Sequence, residues 1–288
     1  MNIYAFADEA SPMMDGQIAA LKRNGLQGLE IRHVDGENVS DISEEKAVEV
    51  RKKLDAAGLI VWSVGSPIGK ISIVKDDFAA HMEKFRHTLK IAGILGARNI
   101  RLFSFFIPQG RNPESCHDEV VRRLRCFVQA AEGTGVALCH ENEKGIYGDV
   151  AARCLTLHRE VPALQGVFDP ANYIQCHQET LAGWELLHRH VKYLHIKDAL
   201  ADGTVVPAGC GEGRLPEILK AFLAQGGDHV TVEPHLTVFD GLNRLEREGD
   251  TSGIGRFAYP SGDAAFDAAC QALKTVLANV QAERNGQK

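Results

Sequence analysis

Short apolar runs rich in β-branched and aromatic residues alternate with longer amphipathic segments along this sequence. Apolar runs of about four to eight residues between turn signals are typical of buried strands. Eight runs have this character, and they cover residues 2–6, 28–32, 59–65, 99–105, 136–141, 164–169, 191–197 and 229–234. The pattern therefore predicts eight strands, each followed by a helical segment.

The helical segments carry apolar residues at the spacing of one helix face. The clearest covers 43–58, where Ser43 is placed to cap the first turn and Gly58 to end the helix. The other segments cover 15–25, 81–96, 117–135, 147–160, 179–190, 214–227 and 263–280. The histidines in or beside these segments are expected at the surface: His81, His87, His158, His188 and His190.

Strands that are apolar on both faces and joined by helices form parallel sheets. Eight strand–helix units within 288 residues match the size of a closed (β/α)₈ barrel. The predicted fold class is therefore α/β, a TIM barrel that forms a single domain over residues 1–288. An open doubly wound sheet also alternates, but no GxGxxG motif follows the first strand. The longest irregular stretch, 237–262, follows the eighth strand, where we expect a loop that covers the substrate.

Composition restricts the function classes. The net charge of −6 disfavours a nucleic-acid partner, because such partners usually require a basic face. The seven cysteines are scattered and never paired as CxxC, which predicts a reducing compartment. No apolar run reaches the length of a membrane span, and the first residues lack a basic, then apolar, leader pattern. We therefore expect a cytoplasmic protein that acts on a small molecule and binds neither membrane nor nucleic acid; a homo-oligomer is compatible with this sequence.

Candidate chemistry lies at the predicted strand ends, because barrel enzymes carry their sites at the carboxyl ends of the strands. The fifth to eighth strands end at or near Glu141, Asp169, His195 and Glu233. Three carboxylates that converge in a buried mouth would repel one another, and a divalent cation resolves that repulsion. A mixed carboxylate and imidazole set suits Mn²⁺, Mg²⁺, Co²⁺ or Zn²⁺. A lone histidine in a strand is more often a core residue, but the joint placement predicts one divalent metal ion.

Several motifs at these ends resemble a known family. They are HENEKGIYGD (140–149), FDPAN (168–172), HIKD (195–198) with the downstream PAGCGEG (207–213), and VEPHL (232–236). Together they resemble the xylose isomerase-like TIM barrels, which include sugar isomerases and epimerases, inosose dehydratases, hydroxypyruvate isomerases and apurinic-site endonucleases. The resemblance implies that Glu141, Asp169, His195 and Glu233 hold the metal, and that Glu141 and Glu233 act as catalytic acid and base.

The resemblance also implies a function. It favours an isomerase or epimerase of a small keto sugar or polyol, with proton transfer through an enediolate between two glutamates. A metal-dependent lyase, an inosose or keto-sugar dehydratase, shares the first proton abstraction and is the alternative. An apurinic-site endonuclease is disfavoured by the net charge and by Asn172, which stands where several members have a histidine. A sugar-binding barrel without catalysis is disfavoured by the intact carboxylates.

Further residues near the strand ends are candidates for substrate contact. Asn172 can bind a sugar hydroxyl, and Lys70 either contacts substrate oxygens or is a solvated turn residue. Lys197 either polarises a hydroxyl or pairs with Asp198. His235 shares the side of the preceding glutamate if the eighth strand continues.

The glycine-rich loop at 207–213 is typical of a phosphate site at a helix start. Glu212 lies inside this loop and would repel a phosphate, and only Arg214 offers nearby compensation. We therefore expect a non-phosphorylated sugar or cyclitol, with Glu212 as a further candidate for substrate contact.

Overall fold

The computed structural model describes residues 1–238 and 259–286. Its main sheet contains eight parallel strands: β1 (Asn2–Ala5), β2 (Gly28–Ile31), β3 (Ile60–Gly65), β4 (Asn99–Leu102), β5 (Ala137–Glu141), β6 (Gln165–Phe168), β7 (Val191–Ile196) and β8 (His229–Val232). β1 pairs with β8, and the other strands pair in turn from β8 back to β2. The backbone N–H of Gln27, just before β2, donates to Ile3 O of β1 at 3.3 Å, which nearly closes the barrel. The predicted single-domain TIM barrel is confirmed.

Helices surround the sheet. They are α1 (Met14–Arg23), α2 (Glu44–Ala57), α3 (Phe78–Leu95), α4 (His117–Ala131), α5 (Ala151–Glu160), α6 (Pro170–Gln175), α7 (Thr180–Leu187), α8 (Leu215–Ala224) and α9 (Gly262–Gly286). Short 3₁₀ turns cover Ala7–Glu9, Pro113–Cys116 and Tyr147–Asp149. Two small hairpins extend from strand ends, one joining His33–Val34 to Glu37–Asn38 and the other joining Asp198–Ala199 to Val205–Val206.

The predicted helix ends are present. Ser43 Oγ accepts a hydrogen bond from Lys46 N at 3.1 Å, and Gly58 ends α2 in a left-handed conformation with φ of 70°. α3 begins earlier than the sequence pattern predicted, because Asp77 caps it by accepting from Ala79 N at 2.8 Å. α6 was not predicted, since six residues are too few to show a helical period.

The surface prediction is wrong for two of the helix histidines. His81 and His158 are buried, with 8% and 4% of their surface exposed. His81 Nε2 accepts a hydrogen bond from Gly69 N at 2.8 Å, and His158 Nδ1 lies 3.1 Å from Leu164 O. Both imidazoles therefore bind backbone groups of neighbouring loops.

Two apolar layers hold the barrel and position the site. The larger one lies between the strands and the helices. The second is a cluster inside the barrel, with Tyr4 and Trp62 stacked at 5.3 Å between ring centroids. Above this cluster the interior becomes polar, and the buried side chains there are Glu30, Ser63, Arg101, His195 and Thr231. The polar layer therefore lies beneath the carboxyl ends of the strands.

Most of the predicted substrate-covering stretch, 237–262, lies outside the described residues. Within residues 1–238 and 259–286, no helix combines the length and the apolar character that a membrane crossing requires.

Candidate metal centre

The last four strands bring together the four residues that the sequence singled out. Glu141 ends β5, Asp169 follows β6, His195 lies in β7 and Glu233 follows β8. All four side chains are buried, and one ligand atom from each lies within 4.8 Å of the others. The four residues, called here the ligand group, therefore form one compact set of three carboxylates and one imidazole.

His195 is held on both of its ring nitrogens. Nδ1 faces the ligand group, at 3.0 Å from Glu141 Oε1 and 3.5 Å from Glu233 Oε2. Nε2 lies 3.0 Å from Glu30 Oε2, so it donates to that carboxylate. Burial opposes a charge on the ring, but Glu141 and Glu30 raise the pKa of His195 well above its ordinary value. The imidazole is thereby fixed with Nδ1 toward the ligand group.

Glu30 lies beneath the ligand group, and both of its carboxylate oxygens accept hydrogen bonds. Its Oε2 also accepts from Thr231 Oγ1 at 2.9 Å, while Oε1 accepts from Tyr193 Oη at 2.9 Å and Ser63 Oγ at 3.2 Å. A carboxylate behind a metal-binding histidine commonly fixes its ring orientation.

Two asparagines join the ends of β5 and β6. Asn142 Nδ2 donates to Asp169 O at 2.9 Å, and Asp169 N donates to Asn142 Oδ1 at 2.9 Å. Asn172 Nδ2 donates to Asn142 O at 2.8 Å and to Glu141 Oε1 at 3.3 Å. These bonds hold the two strand ends at a fixed separation. Asn172 therefore touches a ligand-group carboxylate directly.

One carboxylate oxygen of Asp169 caps a helix, and the other faces the ligand group. Oδ1 accepts from Asn172 N at 3.1 Å and so caps α6. Oδ2 is buried and accepts no hydrogen bond from the residues that the structure describes, although Lys197 Nζ lies 3.0 Å away. A buried carboxylate oxygen without a hydrogen bond is unusual, and metal coordination would satisfy it. Three carboxylates and one imidazole fit a divalent ion of the Mn²⁺, Mg²⁺, Co²⁺ or Zn²⁺ type.

Lys197 binds the ligand group rather than Asp198. Its Nζ donates to Glu233 Oε2 at 2.9 Å, in addition to the contact with Asp169. Burial lowers the pKa of Lys197, but the two carboxylates more than offset this and hold it well above its ordinary value. Burial and the negative charges of Glu233 and Glu141 raise the pKa of Asp169 to about 7, although the positive charge of Lys197 lowers it.

A second polar group flanks Glu233 at the end of β1. His235 Nδ1 lies 3.2 Å from Glu9 Oε1 and 3.6 Å from Glu233 Oε1. Arg32 contacts Asp8 Oδ2 at 2.8 Å and Glu9 Oε1 at 3.0 Å, and its Nη1 lies 3.6 Å from Glu233 Oε1. Burial, together with neighbouring negative charges, raises the pKa of Glu9 to about 8 despite Arg32. The predicted candidate His235 therefore does reach the edge of the ligand group.

The sequence analysis did not single out Asp8, Glu9 or Arg101. Arg101, in the middle of β4, lies with Nε 3.2 Å from Glu141 Oε2. The strand-end rule that found Glu141 and Glu233 would also have found Asp8 and Glu9, which follow the first strand. A buried arginine inside an apolar strand run was the available signal for Arg101.

Lys70 lies in the loop after β3, and its side chain is buried rather than solvated. Its Nζ contacts Glu143 Oε2 at 3.1 Å and sits 4.5 Å from the centroid of the Phe103 ring. Burial raises the pKa of Glu143, but Lys70 and Lys197 lower it more, so the net pKa lies below the ordinary value. Lys70 and Glu143 therefore form a partly buried ion pair beside the barrel mouth.

Glu212 does not join these residues. Its side chain is exposed and lines a surface cavity of about 540 Å³ together with His177 and Arg214. None of the four ligand-group residues lines that cavity. The loop turns inward through its backbone instead, which leaves the Glu212 side chain outside, so the structure gives no support to its predicted substrate contact.

The backbone of the glycine-rich loop surrounds Asp198. The N–H groups of Gly209, Gly211 and Gly213 donate to the Asp198 carboxylate at 2.9, 3.0 and 2.8 Å. Ala199 N donates a fourth bond at 2.9 Å. The loop thus forms an anion nest that the chain fills with its own carboxylate.

Known families and structures share this architecture. A family model described as xylose isomerase-like TIM barrel matches residues 18–248. No curated protein sequence matches the chain.

Among solved structures, an L-ribulose 3-epimerase aligns with a TM-score of 0.75 and 18% identity, over 99% of this chain and 96% of its own. The IolI protein with a bound zinc atom aligns with a TM-score of 0.74 and 14% identity, over 97% and 99%. A probable 3-DHS dehydratase, AsbF of Bacillus anthracis, aligns with a TM-score of 0.70 and 16% identity, over 95% and 98%. At these identities the alignments show a common fold.

Proposed function

The chain belongs to the xylose isomerase-like TIM barrel family, and from this we propose that it is a divalent-metal-dependent isomerase or epimerase of a small keto sugar or polyol. The observation that carries the proposal is the ligand group, in which two glutamates from separate strands converge on one imidazole. Glu141 and Glu233 lie 3.0 and 3.5 Å from His195 Nδ1. Two carboxylates at one centre can serve as base and acid on the same substrate.

The proton transfer follows from the placement of these glutamates. One carboxylate removes the proton from the carbon next to the substrate carbonyl, and the C–H electron pair moves into an enediolate. The conjugate acid of the other then delivers a proton, to the opposite face of that carbon in an epimerase or to the neighbouring carbon in an isomerase. In the isomerase the hydroxyl proton also moves from one oxygen of the enediolate to the other. A divalent ion in the ligand group would supply Lewis acidity that polarises the substrate oxygens.

The chain's other polar groups have supporting roles in this proposal. Asn172 holds Glu141 in place through its side-chain amide. Lys70, Lys197 and His235 are buried beside the carboxylates and are proposed to bind substrate hydroxyls. Arg101 pairs with the Glu141 carboxylate, with Nε 3.2 Å from Oε2, and so helps to hold it in place.

The substrate is proposed to be a non-phosphorylated sugar or cyclitol. The three glycine N–H groups that could bind a phosphate donate to Asp198 instead. Arg214, which directly follows the loop, pairs with Glu217 of α8 at 2.9 Å. A phosphate at this loop would therefore have to displace an internal carboxylate.

A metal-dependent lyase is the second candidate, because elimination of a β-hydroxyl begins with the same proton abstraction. The structural likeness to a probable dehydratase supports this alternative at the level of fold. The two reactions differ in their products. Isomers conserve the mass of the substrate, whereas a dehydratase product is lighter by one water.

NMR in D₂O tests the reaction directly. Protein loaded with Mn²⁺ or Mg²⁺ would be incubated with ketoses, aldoses and inososes, and we expect deuterium from solvent at the reacting carbon. Glu141→Gln and Glu233→Gln should each lose at least about 10²–10⁴-fold in rate. Glu185→Gln, on the exposed face of α7, is the matched control and should retain wild-type turnover. Product without solvent deuterium at low conversion would contradict proton transfer through these glutamates.

A further inference from the structure

The ammonium of Lys197 lies between two carboxylates of the ligand group. Nζ is 3.0 Å from Asp169 Oδ2 and 2.9 Å from Glu233 Oε2, and only 7% of the residue is exposed. Lys197 follows β7 two positions after His195, so both side chains point to the barrel interior. The lysine is therefore built into the same site as the imidazole ligand.

The lysine and a divalent ion require the same oxygens. Carboxylate oxygens bind such ions at about 2.1 Å, whereas an ammonium donates hydrogen bonds to carboxylate oxygens at about 2.9 Å. Two cations that share both oxygens would be separated by roughly 4 Å, and their repulsion at that distance is strong in a buried site. When an ion coordinates Asp169 and Glu233, the ammonium must therefore lose or lengthen at least one of its two contacts.

We propose that Lys197 is a built-in competitor of the metal, which holds Asp169 and Glu233 together when no metal is bound and releases at least one of them when the ion enters. This inference rests on the proposed metal centre. It explains why a buried cation lies among carboxylates that would otherwise repel one another. It also predicts that the wild-type protein binds metal less tightly than its four ligands alone would allow.

The test compares Lys197→Met with Lys70→Met. Both lysines follow strands and have buried side chains paired with carboxylates, but Glu143, which Lys70 contacts, is not in the ligand group. We expect Lys197→Met to bind Mn²⁺ at least about tenfold more tightly than wild type, measured by titration with paramagnetic resonance detection. In EDTA it should unfold at a lower temperature than wild type, and Mn²⁺ should raise its unfolding temperature by more. Lys70→Met should keep the wild-type affinity to within about threefold.

Mn²⁺ binding by Lys197→Met that is equal to or weaker than wild type would overturn the competition while leaving the metal centre intact. Absence of Mn²⁺ binding by the wild-type protein would instead overturn the metal centre and the inference with it. If Lys197→Met does not fold, crystals of the wild-type protein grown with Mn²⁺ decide the matter. The ammonium should then lie beyond hydrogen-bonding distance of Asp169 or Glu233, and retention of both contacts beside a bound ion would contradict the proposal.

Discussion

Glu30 lies on the far side of His195 from the ligand group and accepts four hydrogen bonds. A glutamine side chain there has only one acceptor oxygen. Its NH₂ group would therefore face either the donors of His195 and Thr231 or the donors of Tyr193 and Ser63. We expect Glu30→Gln to weaken Mn²⁺ binding by about 10–100-fold, the usual cost of losing such a support.

The matched control for Glu30 is Ser63→Ala. Ser63 binds the other carboxylate oxygen, at 3.2 Å, and its removal leaves the bond to His195 in place. Mn²⁺ affinity should then change by less than about threefold. Equal affinities for Glu30→Gln and wild type would show that the orientation of His195 does not depend on Glu30.

His140 gives a prediction about pH. Burial lowers the pKa of this imidazole to about 3, and its Nε2 lies 2.9 Å from Ser104 Oγ. Between the folded value and the unfolded value of about 6.5, the unfolded chain binds the additional proton, so His140 stabilises the fold above pH 6.5 and this contribution is lost as the pH falls.

The measurement is urea unfolding of His140→Gln and wild type between pH 4 and 6. The free energy of unfolding of the variant should depend less steeply on pH, by about 1.4 kcal/mol per pH unit, which corresponds to one proton. The slope is compared rather than the absolute value, because glutamine also changes packing beside Gly148. Parallel slopes would mean that His140 is not neutral in the folded protein.

Residue positions were predictable where one rule of the fold decides them. The carboxyl ends of β5, β6 and β8 carry Glu141, Asp169 and Glu233, and the strand-end rule locates all three from the amino-acid sequence alone. The rule says nothing about partners across the barrel. The bond from His195 to Glu30 joins strands that are not neighbours, so no local sequence pattern encodes it.

At the scale of elements, the strands were predictable because each is a short apolar run between clear breaks. The predicted runs continue one to three residues beyond the ends of β1, β4 and β8. α6 was not predicted because no helical period of apolar residues marks it. Only its N-terminal residues do, since Asp169 is its cap and Pro170 its first residue. The burial of His81 depends on the loop that contains Gly69, which the helix pattern alone cannot reveal.

The loop around Asp198 gives a prediction for Gly211. A Cβ at Gly211 would lie 2.4 Å from both Ala199 O and Asp198 Oδ1, so an alanine must break the nest. We expect Gly211→Ala to lower the free energy of unfolding by about 2–4 kcal/mol, since it strains the backbone and frees a buried carboxylate.

Gly93 provides the opposite control. It lies inside α3, and a Cβ there would meet nothing within 4 Å. Gly93→Ala should therefore stabilise the protein by about 0.5–1 kcal/mol, through the better helix propensity of alanine. Chemical unfolding of the two variants should give shifts of opposite sign, and a Gly211→Ala protein as stable as wild type would contradict the tight nest.

At the scale of the molecule, the barrel was predictable from the count and alternation of its elements. Eight strands close into a sheet in which β8 returns to β1, and this brings Glu233 beside Glu9 although 224 positions separate them in the sequence. The polar interior was not predictable in the same way. Glu30, Arg101 and Thr231 lie in strands whose other residues are largely apolar, and only the closed barrel places these three on one inner layer.

The ligand group joins four of the eight strands, so metal binding should stabilise the whole barrel. An ion that binds only the folded chain at 100 times its dissociation constant adds about 2.7 kcal/mol to the free energy of unfolding. For a chain of this size, that corresponds to a rise of roughly 4–5 °C in unfolding temperature. Mn²⁺ added to EDTA-treated protein should therefore raise the unfolding temperature, and the rise should grow with the logarithm of the Mn²⁺ concentration.

Asp169→Asn should abolish that rise. The amide oxygen is a poor replacement for the buried Oδ2, which accepts no hydrogen bond from the described residues and faces the ligand group. Asp118→Asn is the matched control, because Asp118 is fully exposed at the start of α4, and it should respond to Mn²⁺ as the wild type does. If all three proteins gain the same number of degrees, the ion binds elsewhere. If only Asp169→Asn fails to respond, the stabilising ion is held where β5 to β8 converge.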